Sequence, residues 1–233
     1  MQTHVIRFSH SQIDKFKNCP WSWKRIYQDK NVQSTESEAS LWGTAVHEAV
    51  ENFLRHGTPL PNNVQQAYGS QFATYLPWWG AKPGLEIEPH YGIDIDGNHI
   101  DPEHPYCWAH GYIDVMARDR WQAWIGDWKT GKSKFKSTQL QLYSAFVFAA
   151  YPEVTHINTG YFRLQHNMVD NATYVRDQAE ALLRPYAALY THLTSAIANN
   201  YFPKRAGVLC GWCDVRDCEN NTVAERLKRE ARY

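Results

Sequence analysis

The 233 residues carry 24 Lys and Arg against 24 Asp and Glu and are 43% hydrophobic, with a mean hydropathy of -0.58, the composition of one globular, well-cored domain. The balanced total excludes binding to nucleic acid by bulk charge, in the manner of a polybasic tail, but leaves room for a local basic patch. The longest apolar runs, such as Ala145 to Tyr151, fall far short of the roughly 20 residues that span a bilayer, and Met1 to Phe8 lacks the basic and apolar regions of a secretory signal, so a cytoplasmic protein without a membrane partner is expected.

Ser11 is placed to cap a short helix through Phe16, with Asp14 three residues on, and Cys19-Pro20 to end it. From Leu41 to His56, Trp42, Val46, Ala49, Val50 and Phe53 recur at helical spacing, and Gly57 supplies a stop. Val64, Ala67, Tyr68, Phe72 and Tyr75 line one side of a third helix from Asn63 to Leu76. The period then changes. Leu85-Glu86-Ile87-Glu88 alternates, Asp96-Gly97 signals a hairpin turn, and Tyr106 to Ala117 and Trp121 to Trp128 read as strands joined at Asp119-Arg120, a meander of about three strands. Ser137 opens a helix carrying Leu140, Tyr143, Phe146, Val147 and Ala150, which ends near Pro152. Strands follow over Val154 to Leu164 and Met168 to Val175, then a long helix from Asp177 to Asn199 with Pro185 as a point of bending. This order predicts an α/β sheet with helices packed against it. Residues from about 200 onward form a cysteine-bearing tail.

The chemistry concentrates at Gly126-Asp127-Trp128-Lys129-Thr130-Gly131-Lys132, at the end of a predicted strand. Side chains two apart share a strand face, so Asp127 and Lys129 point together while Trp128 enters the opposite layer. A carboxylate beside an ammonium suits phosphate chemistry. The carboxylate can hold a divalent metal, and the lysine can orient or help deprotonate an attacking water and offset charge on a phosphorane-like transition state. An isolated Asp-x-Lys is usually an exposed ion pair, so its neighbours decide. A hairpin would bring Asp114 of Gly111-Tyr112-Ile113-Asp114 near Asp127, and Gly43-Thr44-Ala45-Val46-His47 puts an imidazole on the second helix. Gln139 and Tyr143 lie one helical turn apart, amide beside phenol. Five cysteines in a chain of this length without a secretion signal fit a disulfide scaffold poorly. Cys210, Cys213 and Cys218 favour a metal or cluster site.

Taken in order, these motifs resemble the PD-(D/E)XK nuclease superfamily, and within it the RecB-like branch that includes CRISPR-associated exonucleases with an iron-sulfur cluster and the nuclease domain of AddB. The resemblance covers most of the chain. It rests on Ser9-His10-Ser11-Gln12-Ile13 with Cys19-Pro20, Gly43-x3-His47, Gly111-x2-Asp114, Asp127-x-Lys129-Thr130-Gly131-Lys132, Gln139-x3-Tyr143 and the final cysteine triplet. It implies a restriction-endonuclease-like α/β core, with a central mixed sheet flanked by helices in a single domain over residues 1–233. The N- and C-terminal segments would be tied by a four-cysteine cluster formed by Cys19 and residues 200–218.

By the same resemblance, His47, Asp114 and Asp127, with the Trp128 carbonyl as a fourth ligand, are expected to hold a divalent metal. Lys129 is the expected catalytic lysine beside Asp114 and Asp127, and Gln139 and Tyr143 are expected to position the DNA or the lysine. Glu86 and Glu88, read as sharing one strand face, could each add an acid, and the choice between them is open. A histidine among oxygen ligands favours manganese alongside magnesium. Cys19, Cys210, Cys213 and Cys218 are expected to bind a 4Fe-4S cluster, with structural zinc or uncommitted thiols as alternatives. Cys107 is expected to be a buried core thiol.

Lys132, Lys134 and Lys136 leave the catalytic strand, and Lys15, Lys17, Lys24, Arg25 and Lys30 flank Cys19. Both groups could track a phosphate backbone, with Trp21, Trp23 or Trp42 stacking on bases of a single strand. The resulting expectation is a metal-dependent DNA exonuclease acting on single-stranded DNA or DNA ends in recombination, repair or DNA processing, with a helicase or recombination partner. The alternatives are a catalytically inactive relative serving as a DNA-binding scaffold, and a zinc-ribbon nucleic-acid binder.

Overall fold

Burial of Phe8, only 1% exposed, draws the chain into its first helix earlier than Ser11. In the computed structural model, which describes residues 5–33, 37–131 and 137–222, Ser9 caps α1 (His10–Asn18). Gln12 N donates to Ser9 Oγ at 3.3 Å, and Ser9 N donates to Gln12 Oε1 at 3.0 Å, a reciprocal capping box. Pro20 does end this helix, but it also opens α2 (Pro20–Trp23), because its missing N–H is no loss at a first helical position. One π-helical turn, Lys24–Gln28, follows.

The chain divides into two compact units, Met1–Arg7 with Glu36–Arg184, and Phe8–Thr35 with Pro185–Tyr233. The boundary falls at Pro185 inside α6 (Ala179–Ala198), the proline singled out by the sequence. The second unit joins N- and C-terminal segments by packing. Phe8 stacks on Tyr186 and Trp23 on Phe202, with ring centroids 6.1 and 6.2 Å apart. Arg205 Nη1 donates to the Lys17 carbonyl at 2.6 Å, and Arg25 pairs with Asp217 at 2.9 Å.

In the first unit, α3 (Glu38–His56) is capped by Ser37 and closed by Gly57 in the left-handed conformation at φ 67°. Then comes α4 (Asn62–Gly80), which extends four residues past Leu76 and contains Pro77. The strands are β1 (Glu86–Ile87), β2 (His90–Ile93), β3 (His99–Ile100), β4 (Ala109–Tyr112), β5 (Val115–Arg118), β6 (Gln122–Lys129), β7 (His156–Arg163) and β8 (Met168–Val175). They form a five-stranded sheet ordered β1-β5-β6-β7-β8 and a three-stranded sheet ordered β3-β2-β4. The large sheet is mixed: β6 and β7 run parallel and the other pairs antiparallel. A parallel pair needs a crossover, which α5 (Ser137–Ala150) supplies.

The single strand expected over 106–117 is in fact two. The chain breaks at Ile113-Asp114, so β4 belongs to the small sheet and β5 to the large one. At the break, Ile113 N donates to the Pro89 carbonyl and Glu88 N to the Asp114 carbonyl, both at 3.1 Å. Alternation of apolar residues continues through this break, which is why a pattern of period two does not reveal it.

Helices flank the large sheet. Val46, Ala49 and Val50 of α3 and Val64, Tyr68, Phe72, Leu76 and Trp79 of α4 pack with Val115, Ala117, Trp128 and Phe162. Gly126 is required by this packing, since an added Cβ would come within 2.6 Å of both Trp79 and Val115 side chains. Helix α5 buries Leu140, Leu142, Phe146 and Val147 completely. Among the described residues, no helix is long and apolar enough to cross a membrane.

Candidate active site

Strand β6 delivers Asp127 and Lys129 to one face and Trp128 to the other, as the alternation requires. Trp128 is buried among α3 and α4 residues, while Lys129 Nζ lies 2.7 Å from Asp127 Oδ2. The register Val115↔Gly126, continued by one residue, sets Asp114 across from Asp127. Asp114 Oδ2 accepts from Trp128 N at 2.7 Å. Its Oδ1 lies 3.5 Å from His47 Nδ1, and His47 Nε2 lies 2.9 Å from the Trp128 carbonyl oxygen. Gly43, one turn before His47, lets α3 approach: a Cβ there would sit 3.3 Å from Thr130 Oγ1. The Gly-x3-His and Asp-x-Lys-Thr motifs thus meet directly.

The structure separates Glu86 from Glu88. Strand β1 ends at Ile87 and Glu88 takes a positive φ of 48°, so the two side chains do not share a face as the alternation suggested. Glu86 accepts from Tyr91 and Tyr151 hydroxyls at 3.3 and 3.2 Å and faces Arg118. Glu88 joins His47 and Asp114, each offering one ligand atom within 4.8 Å of the other two. Sequence spacing could not make this choice, because a left-handed glutamate is invisible to a periodic pattern. Arg55, two turns beyond His47 on α3, braces the same turn by donating to the Ile87 carbonyl. No sequence signal marked it.

Helix α5 closes the site. Gln139 Nε2 donates to Tyr143 Oη at 2.9 Å, the amide and phenol pairing expected at one turn. Gly111 makes room for that ring, since a Cβ there would meet Tyr143 Cε1 at 3.2 Å.

The electrostatics follow from burial. Asp127 is fully buried, and among the described residues neither of its carboxylate oxygens accepts a well-aligned hydrogen bond despite the adjacent ammonium. Desolvation, aided by the Asp114 charge, outweighs Lys129 and pushes its pKa up to about 6. Burial likewise lifts Glu88 to about 7, with Asp114 contributing. Burial alone would lower the His47 pKa, but the Asp114 carboxylate reverses this and raises it to about 9. Burial would also raise Asp114, yet His47 and Lys129 hold it below the usual carboxylate range. Lys129, penalised by burial, is nonetheless pushed above its ordinary value by Asp127 and Asp114. The Tyr143 hydroxyl rises well above its usual range through burial and the two aspartates.

Two carboxyls that burial raises, Glu88 and Asp127, beside a third that stays ionised and an imidazole, form a concentration of negative charge suited to a cation. Among the described residues the group that could hold a divalent cation is His47, Glu88 and Asp114; the expected ligand Asp127 is not part of it and is paired with Lys129 instead.

The remaining expected site residues fall elsewhere. Cys19, Cys210, Cys213 and Cys218 all lie in the second unit and form no disulfide. Among the described residues no three of their sulfurs come within 4.8 Å, so the expected four-cysteine tie is not shown, and packing joins the two segments. Cys213 Sγ lies 3.6 Å from Ser22 Oγ, and Gly207 N donates to Cys210 Sγ at 3.4 Å. Cys107 is buried, as expected. Lys132, Lys134 and Lys136 lie outside the described residues. Trp23 is buried, Trp42 donates to Tyr68 Oη at 3.3 Å, and Trp21 is ringed by Lys24, Arg25 and Lys204. Those three cations are paired with Asp29, Asp217 and Glu219, so this surface is less suited to phosphates than the sequence suggested.

The sequence profile of the PD-(D/E)XK nuclease superfamily matches residues 7–93 and 103–218. Among solved structures, the chain is similar to that of SSO0001, at 13% identity over 94% of this chain and 90% of that one, with a TM-score of 0.46. It is also similar to that of a candidate exonuclease from Eubacterium rectale, at 11% identity over 91% of this chain and 85% of that one, with a TM-score of 0.52. At this identity the second likeness is one of fold. No curated protein matches the chain.

Proposed function

The chain belongs to the PD-(D/E)XK nuclease superfamily, and from that premise we propose that it is a metal-dependent DNA exonuclease of the RecB-like branch, acting on single-stranded DNA or DNA ends. The observation that carries this reading is the convergence of His47, Glu88 and Asp114 beside the buried Asp127 and Lys129. In a degenerate relative, one of these would be the first to be lost. A divalent cation held by His47, Glu88 and Asp114 would supply Lewis acidity to the scissile phosphate and lower the pKa of an attacking water. Lys129, paired with Asp127, would act as a donor and positive charge toward the developing phosphorane. Gln139 and Tyr143 would present a paired amide and phenol near the two aspartates and orient the strand.

The test is degradation of end-labelled DNA. We expect activity with manganese and magnesium, higher with manganese, abolished by EDTA and by Asp127→Ala. Activity surviving both would defeat the assignment. A folded wild type inert with every divalent metal would turn the reading to a catalytically inactive DNA-binding scaffold of a recombination complex.

The second unit is proposed to carry a 4Fe-4S cluster on Cys19, Cys210, Cys213 and Cys218. Four uncommitted thiols in one compact unit support this. Protein purified without oxygen is expected to be brown, with iron and acid-labile sulfide. A colourless, zinc-loaded preparation would overturn the iron assignment.

A further inference from the structure

Strands β6 and β7 run parallel and end together, with Asp127 level with Tyr161 and Lys129 level with Arg163. Partners in register point to the same side of a sheet, and two contacts fix which side each pair takes. Trp128 and Phe162 pack ring against ring, centroids 4.5 Å apart, in the core formed with α3 and α4. On the opposite face, Lys129 Nζ lies 5.5 Å from the centroid of the Tyr161 ring. Arg163 follows Tyr161 by two residues within the same strand, so its side chain leaves on the face that carries Asp127 and Lys129. At the backbone one strand spacing, about 4.8 Å, separates Arg163 from Lys129.

Neither the sequence motifs nor the metal ligands account for this arginine. Its Nε donates to Asp170 Oδ2 at 2.7 Å and its Nη2 to Asp170 Oδ1 at 3.2 Å, and Nη2 also lies 3.7 Å from Met168 Sδ. Both acceptors belong to β8, the edge strand. A two-point pairing of this kind occupies one edge of the planar guanidinium and leaves Nη1 on the other. Among the described residues Nη1 has no hydrogen-bond partner and is not cut off from solvent, although the side chain as a whole is only 17% exposed. Like the cations around Trp21, Arg163 carries a carboxylate partner. What distinguishes it is its place, one strand from Lys129 at the carboxyl ends of two parallel strands, where open α/β sheets take their ligands. A permanently charged donor held rigid there is suited to an oxyanion.

From this placement we propose that Arg163 is a phosphate-binding residue of the active site, its Nη1 taking the backbone phosphate next to the one at Lys129, so that two neighbouring strands grip two consecutive phosphates of the DNA. The proposal rests on the nuclease reading above for the phosphate at Lys129. A guanidinium contact to the backbone fixes the register of the substrate on the enzyme and reads no base, so it serves every sequence alike. Asp170 has the role of a brace: it holds the guanidinium plane in place and lowers the entropy lost when the phosphate arrives.

The experiment is binding of a fluorescently labelled single-stranded DNA oligonucleotide to the full chain in EDTA, where no cleavage occurs, across a series of salt concentrations. Arg163→Gln is expected to weaken binding about tenfold at low salt and to flatten the slope of log affinity against log salt by about 0.7, the share of one phosphate contact on a single strand. The loss should be the same for oligonucleotides of unrelated sequence. Asp170→Asn breaks the same ion pair but keeps the cation, and is expected to retain the wild-type slope. If Arg163 served only to fasten β7 to β8, the two variants would behave alike. The proposal is overturned by an unchanged slope in Arg163→Gln, by an equal fall in Asp170→Asn, or by the absence of salt-dependent binding in wild type. In cleavage assays the Arg163→Gln effect should lie in KM, with kcat within about threefold of wild type. A wild type that binds DNA but cleaves with no divalent metal would sink the nuclease reading instead, and the salt slopes would still decide the phosphate contact.

Discussion

Lys129→Met is expected to slow DNA hydrolysis by about 10²–10³-fold, the usual loss when one charged donor is removed from a developing oxyanion. Methionine keeps much of the stem but removes the ammonium 2.7 Å from Asp127. Two consequences follow from one deletion. The transition state loses a positive charge, and Asp127, already lifted to about 6 by burial and Asp114, loses its main counter-charge and holds its proton more firmly. Metal dependence should therefore shift together with rate, with more manganese needed for half-maximal activity. Lys129→Arg is not expected to rescue, because a planar guanidinium cannot replace a compact ammonium in so enclosed a place. The comparison requires initial rates on end-labelled DNA across a manganese series, with Tm confirming that each variant is folded. Rates within about threefold of wild type would remove Lys129 from the chemistry.

The second large effect concerns pH. Without the cation, His47 keeps its proton to about 9 and Glu88 to about 7. Ligands must shed those protons before they bind metal. Affinity for manganese should thus rise by about a hundredfold per pH unit near pH 6, where both are protonated, and by about tenfold per unit near pH 8, where only His47 is.

The sign for stability agrees. A raised pKa means the folded chain holds its proton more tightly than the unfolded one. The resulting stability is present at low pH and lost as pH climbs through about 6, 7 and 9 for Asp127, Glu88 and His47. Asp114, whose pKa is depressed, contributes in the opposite sense, above the ordinary carboxylate range. Manganese should consequently raise Tm more at pH 8 than at pH 6, and calorimetry in buffers of different ionisation enthalpy should record proton release. A Tm increment equal at both pH values would show that His47 and Glu88 are not the ligands.

Both predictions depend on residues that differ in how far the sequence exposed them. Asp127 and Lys129 could be paired from strand alternation, and Gln139 with Tyr143 from one helical turn, because both relations are local and set by backbone geometry. The site of His47 on a helix was equally plain. What His47 touches was not, since its two nitrogens meet Asp114 and the Trp128 carbonyl, 67 and 81 positions along the chain. Ser9 and Ser11 are comparable caps locally, and burial of Phe8 decided between them.

The sequence by itself determined the main helices, the two-faced strand carrying Asp127 and Lys129, and a resemblance to the PD-(D/E)XK superfamily that the superfamily profile bears out at that level, while the expected meander of about three strands is six strands in two sheets. These rest on short-range periodicity and on residue types at fixed spacing, and both are written in the chain. Only the tertiary structure decided that the strand through Asp114 breaks between two sheets and that Glu88 rather than Glu86 turns to His47. Each of those depends on long-range hydrogen bonding or on a left-handed backbone position, where the favourable conformation is fixed by partners distant in sequence and leaves no period to read.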